Sequence, residues 1–270
     1  MRLVDSHAHL QADRFADDVE RVLDVAARDG VERILVPGWH RPSSEGALEL
    51  AARFAWLDAA VGVHPHEAAA VEDADWSWIA GAARYERVVA IGETGLDFDR
   101  MFSPIDAQVS NLRRNLDLAL ETGKPAILHC RSSGGRFDAQ ETLVGALESA
   151  GVGRRAGDAP AVIIHSFSGP VDYARRLVEM GCVISFSGLV FRAGEEESAE
   201  VARLPEPGRL LVETDSPYLS APGAPRRRNE PAYVAITAAW LATQRSSDPE
   251  SLGASLVAAY DGAFPRTRPR

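Results

Sequence analysis

Short apolar runs recur along the chain, and most are followed by a stretch whose apolar positions are spaced for a helix. The runs are LVDSHAHL (3–10), ERILVPG (32–38), DAAVGVHP (58–65), VVAIGETG (88–95), PAILHCR (125–131), AVIIHSFSG (161–169), CVISFSG (182–188) and LLVETDSP (210–217). Each is short and mostly apolar or β-branched, as expected of a strand buried on both faces of a parallel sheet. Between them, residues 19–30 have helical apolar spacing and stop at Gly30. Residues 105–122 place Leu112, Leu116 and Leu120 one turn apart and stop at Gly123, and residues 171–181 stop at Gly181. Glycine just past the last turn is a common helix stop. Alternation of strand and helix implies parallel strands joined by crossovers. Eight such units predict an α/β fold, a (β/α)8 barrel of the TIM type, in a single domain over residues 1–264. A doubly wound open sheet would call for a glycine-rich phosphate turn after the first strand, where HAHLQADRF stands instead. The stretch SAPGAPRRRNEP (220–231) reads as a loop above the last strand, and PRTRPR (265–270) as a frayed tail.

Composition narrows the picture. At 270 residues and 46% hydrophobic, the chain can fill a barrel core, and disorder is not the default. The formal net charge of −10 argues against a basic coat for nonspecific nucleic-acid binding. A site that handles phosphates through metal ions stays open, because bound cations reverse the local field. Two cysteines, Cys130 and Cys182, are too few for a disulfide framework and fit a reducing compartment. The first ten residues carry an acid and two histidines rather than a signal segment. No apolar run approaches the roughly 20 residues that span a bilayer. The expectation is a soluble, cytoplasmic protein with no membrane association and no implied stable protein partner.

The candidate chemistry lies where the predicted strands end. In α/β barrels, reactive groups sit at the C-terminal ends of the strands. Here those ends carry His7 and His9, His64 and His66, Glu93, His129, His165 and Asp215; six of the seven histidines fall there, and His40 lies just past the second strand. Asp5, His7 and His9 alternate, so on a strand they share one face. Converging imidazoles and carboxylates point to a metal site, since imidazole binds first-row metals well and a carboxylate can bridge two ions. Arg131, two residues after His129, shares its face and is a candidate phosphate ligand. Asp5 reads either as a partner for a ligand histidine or as a structural hydrogen-bonding carboxylate.

The segments DSHAHL, GVHPHEA, AIGETGLDF, ILHCR, IIHSFSG and ETDSPYL, in this order, closely resemble the TatD-like DNase family of metal-dependent hydrolases, within the wider amidohydrolase-type barrels. The resemblance covers about residues 1–235, and ordered motifs from six strands are far more specific than any one alone. It implies a (β/α)8 barrel and hydrolysis of DNA phosphodiester bonds with two divalent metal ions (Mg, Mn or Zn). The expected substrate is single-stranded DNA. His7, His9 and Asp215 would bind the first metal, Glu93 would bridge both, and His129 and His165 would bind the second. His64 would contact the substrate phosphate, with His66 a weaker candidate. The chain departs from the family pattern at APRRRNEP, which keeps Asn229-Glu230-Pro231 without the usual histidine and glycine, and at Gln108, which is followed by Leu112 and Asn115.

On this reading Asp215 also orients the attacking water and accepts its proton, making Asp215, Glu93 and His64 the catalytic residues. Arg226, Arg227 and Arg228 would form a basic lip for a nucleic-acid backbone, Arg227 with Arg131 and His64 contacting substrate. One rival is a hydrolase bridged by a carbamylated lysine, but the only lysine, Lys124, precedes its strand and so lies at the wrong end. Another keeps the site and changes the substrate to an ester such as D-aminoacyl-tRNA. A third is a metal-binding barrel without catalysis.

Overall fold

The computed structural model describes residues 1–153 and 161–266. Residues 267–270 of the expected frayed tail lie outside the described residues. Eight strands form one parallel sheet in sequence order: β1 (Leu3–Asp5), β2 (Val31–Pro37), β3 (Leu57–Val61), β4 (Val88–Asp97), β5 (Ala126–Arg131), β6 (Val162–Ile164), β7 (Val183–Phe186) and β8 (Leu210–Val212). The outer ring is α1 (Val19–Arg28), α2 (Arg41–Arg53), α3 (Asp73–Ala82), α4 (Ile105–Thr122), α5 (Asp138–Ser149), α6 (Val171–Glu179), the short α7 (Ser198–Val201), α8 (Val234–Gln244) and α9 (Pro249–Ala263). This is the expected TIM-type barrel.

The seam between β8 and β1 closes the barrel with few backbone bonds. Ser6 N donates to Val212 O (3.0 Å), Asp215 N to His7 O (2.9 Å) and His9 N to Ser216 O (2.7 Å). Asp5 reinforces them: it accepts from the Thr214 amide (2.9 Å) and hydroxyl (2.6 Å) and from the His7 amide (3.2 Å). Asp5 is therefore a structural staple between the first and last strands, the second of its two sequence readings. β1 and β8 are shorter than the runs read from sequence because their polar ends leave the ladder to carry His7, His9 and Asp215 above the sheet.

α4 shows how a helix serves the site. It starts after Pro104 and stops at Gly123, whose φ of +67° puts it in the left-handed region. Leu112 and Leu116 are buried as the spacing predicts. The same buried side carries Gln108, Asn111 and Asn115, which bond the β3 and β4 strand ends rather than water. Arg266, the last described residue, donates to Asp58 Oδ1 at 2.8 Å. Among the described residues, no helix is long and apolar enough to cross a membrane.

Candidate active site

Residues leaving β1 and β8 form a first cluster. His7 Nε2 and His9 Nε2 face each other at 3.2 Å. Glu93 Oε2 lies 3.3 Å from the former and 3.5 Å from the latter; Asp215 Oδ1 lies 3.8 and 3.5 Å away. His7, His9 and Asp215 lie close enough together to hold one ion, with Glu93 Oε2 beside both imidazoles. The Nδ1 atoms of His7 and His9 are buried without a hydrogen-bond partner, which fits rings oriented by what lies at Nε2. Asp215 has a φ of +53°, a conformation that costs a non-glycine residue energy and recurs at functional sites. Asn229 holds this turn by donating to Thr214 O (2.9 Å) and Tyr218 O (2.8 Å).

Glu93, midway along β4, turns its other oxygen to a second cluster. Oε1 lies 3.2 Å from His129 Nδ1, 3.3 Å from His64 Nε2 and 3.5 Å from His165 Nε2. The three rings are not equivalent. His64 Nδ1 accepts the His66 amide at 3.1 Å, so the neutral ring carries its proton on Nε2, the atom facing the site, and offers no lone pair there. His129 and His165 have the opposite polarity: their outer nitrogens face carboxylates, His129 Nε2 at 3.5 Å from Asp97 and His165 Nδ1 at 2.7 Å from Glu213. Neither pair is aligned as a hydrogen bond, so the carboxylates act through charge: each favours a proton on the outer nitrogen and leaves the inner one to face the site.

Electrostatics follow from this crowding. Burial pushes Glu93 up, but His64, His165 and His7 pull it well below the usual carboxylate range. Asp97 is pulled down against burial by His129 and His66, and Asp215 against burial by His9 and His165. Burial pushes His64 down to about 4 against the pull of Glu93, leaving it neutral. For His165 burial loses: Glu213 and Glu93 raise it to about 10. His129 is also raised, the pull of Asp97 and Glu93 outweighing burial. Buried acids that force protons onto neighbouring imidazoles create a demand for positive charge that a divalent cation satisfies.

The other residues singled out in the sequence place no side-chain donor on Glu93: His66 packs on the His64 ring at 4.3 Å. His66 Nε2 is 2.7 Å from Asp97. Arg131 reaches the cavity wall, but its Nη2 is 2.7 Å from Asp99. Arg228 does not belong to a basic lip: it pairs with Asp18 and Glu230 and sits over the Phe15 ring. Arg226 and Arg227 are exposed on the loop outside the cavity wall. Lys124 donates to Ala83 O and Tyr85 O before β5 begins, far from Glu93 along the strand axis, so it cannot bridge ions there.

The TatD related DNase profile matches residues 4–265. The chain belongs to this family. TatD relatives include a metal-dependent hydrolase, YabD, of Bacillus subtilis, 37% identical over 89% of this chain and 90% of its own. The 3'-5' ssDNA/RNA exonuclease TatD of Dickeya dadantii is 34% identical over 93% of each. The crystal structure of a TatD homologue from Escherichia coli K12 superposes with a TM-score of 0.85 at 28% identity, over 97% of this chain and 98% of that one. As a TatD protein, this chain is a metal-dependent hydrolase.

Asp97, Glu213 and Asn111 escaped the sequence reading, Gln108 entered it only beside a departure from the family pattern, and the packed structure gives each a task. Asp97 and Glu213 back His129 and His165. Asn111 donates to Val63 O at 2.7 Å, beside His64, and Gln108 clasps Asp97 through its amide and carbonyl at 2.8 and 3.0 Å. The available signal was an acid at Asp97 and at Glu213 inside otherwise buried runs, where a carboxylate needs a partner. Gln108 and Asn111 lie in the helix at apolar spacing, and only the packed helix shows what they hold. The clusters open onto a cavity of 560 Å³.

Proposed function

We propose that this TatD hydrolase cleaves phosphodiester bonds of single-stranded DNA. The observation that carries the reading is Glu93, one oxygen turned to each of two nitrogen-rich clusters. His7, His9 and Asp215 with Glu93 Oε2 would hold one divalent ion, and His129 and His165 with Glu93 Oε1 a second; Mg, Mn or Zn suits such donors. Two such ions, when bound, supply Lewis-acid polarisation of the phosphoryl group and ease deprotonation of water. Asp215, kept ionised by its histidine neighbours, orients the attacking water and takes its proton on the carboxylate. His64 donates its Nε2 proton to a phosphoryl oxygen, where charge grows during attack. Arg131 is partly held by Asp99, so it adds charge to the wall more than a direct phosphate grip. Relatives named as 3'-5' ssDNA/RNA exonucleases support the same class of substrate and extend it to RNA.

The test is hydrolysis of a single-stranded oligodeoxynucleotide by protein stripped of metal and resupplied with Mg²⁺, Mn²⁺ or Zn²⁺, beside Glu93→Ala. Activity should return with metal and fall more than about a hundredfold in the variant, with the fold intact by circular dichroism. Near-wild-type cleavage by Glu93→Ala overturns the mechanism. Metal uptake without cleavage moves the substrate to another ester bond.

A further inference from the structure

Large apolar side chains exposed to solvent are unevenly placed on this barrel. Among the described residues they are Tyr85, Met101, Phe102, Ile105, Phe137 and Tyr218. All but Tyr85 follow the C-terminal ends of β4, β5 or β8, the face that carries the clusters. Singly exposed apolar side chains are ordinary on a protein surface, and those that line a reactive cavity call for an explanation.

Two of these rings line the catalytic cavity: Phe102, 65% exposed, and Tyr218, 50% exposed. β4 and β8 are four strands apart in the eight-stranded order, so their loops face each other across the barrel mouth. The Phe102 ring meets His66 at 4.7 Å and 75°, on the far side of His64. The Tyr218 ring meets His9 at 6.0 Å and 69°. The rings thus flank the row of donors centred on Glu93, one at each end. Tyr218 is rigidly mounted, its amide donating to Asp215 O at 2.8 Å and its carbonyl accepting from Asn229. The guanidinium of Arg14 lies 5.8 Å from its ring centre and has no acidic partner among the described residues.

We propose that Tyr218 and Phe102 are nucleobase platforms, one for each base beside the scissile phosphodiester, with Arg14 on the backbone next to Tyr218. The proposal rests on the nucleic-acid reading above and names what that site recognises: two neighbouring bases that are unpaired and pulled apart. Every base has a π-face, so stacking on these rings is tolerant of sequence. In a duplex, neighbouring bases stay stacked about 3.4 Å apart and cannot reach opposite walls of the mouth. A cavity of 560 Å³ is the size of a small-ligand pocket, large enough for splayed nucleotides and too small for a double helix.

The experiment measures kcat/KM on single-stranded oligonucleotides, intact or with one abasic residue on either side of the cut, for the wild type and for Tyr218→Ala and Phe102→Ala. Both residues are exposed, so the variants should fold. Each is expected to lose roughly tenfold on the intact strand, mainly through KM. Tyr218→Phe, which keeps the ring, should recover most of that loss. The Tyr218→Ala loss should shrink to about twofold on the strand lacking the base that Tyr218 stacks, while Phe102→Ala still costs its full amount there. A binding readout runs in parallel: 2-aminopurine beside the cut should be quenched on binding in Ca²⁺, and less so in the alanine variant of its platform. Wild-type cleavage with both alanine variants unaffected, or equally impaired on intact and abasic strands, overturns the platforms and leaves the nuclease reading standing. A wild type that takes up metal but cleaves no nucleic acid overturns both.

Discussion

His64 and His129 approach the same oxygen of Glu93 at nearly the same distance, yet they can do different work because of where each ring keeps its proton. The His66 amide fixes His64 as a donor, while the charge of Asp97, 3.5 Å from the outer nitrogen of His129, favours the proton there and leaves the inner nitrogen to the site. Glu213 does the same for His165, and the hydroxyls of Ser185 (2.6 Å) and Ser6 (3.3 Å) hold it in turn. Glu213→Gln should therefore weaken uptake of the second divalent ion about 10- to 100-fold while leaving the first cluster's affinity nearly unchanged, as read by two-site titration calorimetry. Equal weakening at both sites, or none, would count against this role. The histidines were legible in the sequence because they interrupt apolar runs at strand ends. Their proton positions were not, because the deciding partners, Asp97 and Glu213, come from other strands.

The seam between β1 and β8 is the weakest join of the sheet, and Asp5 carries much of it. Asp5→Ala would strand the Thr214 amide and hydroxyl and the His7 amide in a dry interior, at a cost of about 3 kcal/mol in denaturant unfolding. Asp5→Asn keeps an acceptor for both amides and can donate to the Thr214 hydroxyl, so it should cost less than about 1 kcal/mol. The two variants also differ from the wild type in pH dependence. Burial raises Asp5 from 3.8 to about 8 against the hydrogen bonds from Thr214. The folded state therefore holds a proton that the unfolded chain releases. Its contribution is complete below about pH 4 and is lost as pH rises towards 8. Asp5→Asn should flatten that part of the stability profile; an unchanged slope would mean that Asp5 is ionised in the fold. Among the helices, α4 was readable from its leucine spacing and glycine stop, but the task of its buried amides was not, since a glutamine or asparagine at a core position names no partner until the β3 and β4 ends are packed against it.

For the molecule as a whole, a net charge of −10 argues against a broad basic surface for the proposed nucleic-acid substrate. The guanidinium groups of Arg14, Arg100, Arg226 and Arg227 lie on the catalytic face in no ion pair among the described residues, whereas Arg228, expected in the lip, is tied to Asp18 and Glu230. Four phosphate contacts on a single strand give a log–log salt slope of about 3 in magnitude. Binding of a short single strand in Ca²⁺ should show a slope of this size or less, and chelation of the ion should abolish most of the affinity. A slope twice as steep, or binding that survives chelation, would point to a basic track elsewhere on the surface.

The order of residues alone carries the barrel, the strand ends on which the donors sit and the family, because burial demands apolar runs and any departure from them stands out. It also carries the central place of Glu93, an acid in a run that should have been apolar. Three-dimensional placement settled the rest: Asp5 closes the seam, Arg228 is spent on Asp18, Asp97 and Glu213 stand behind the histidines, and Phe102 faces Tyr218 across the mouth. Each depends on which groups from distant segments meet in a low-dielectric interior or across an opening, and the strength of such pairings is a property of distance and burial that no local pattern encodes.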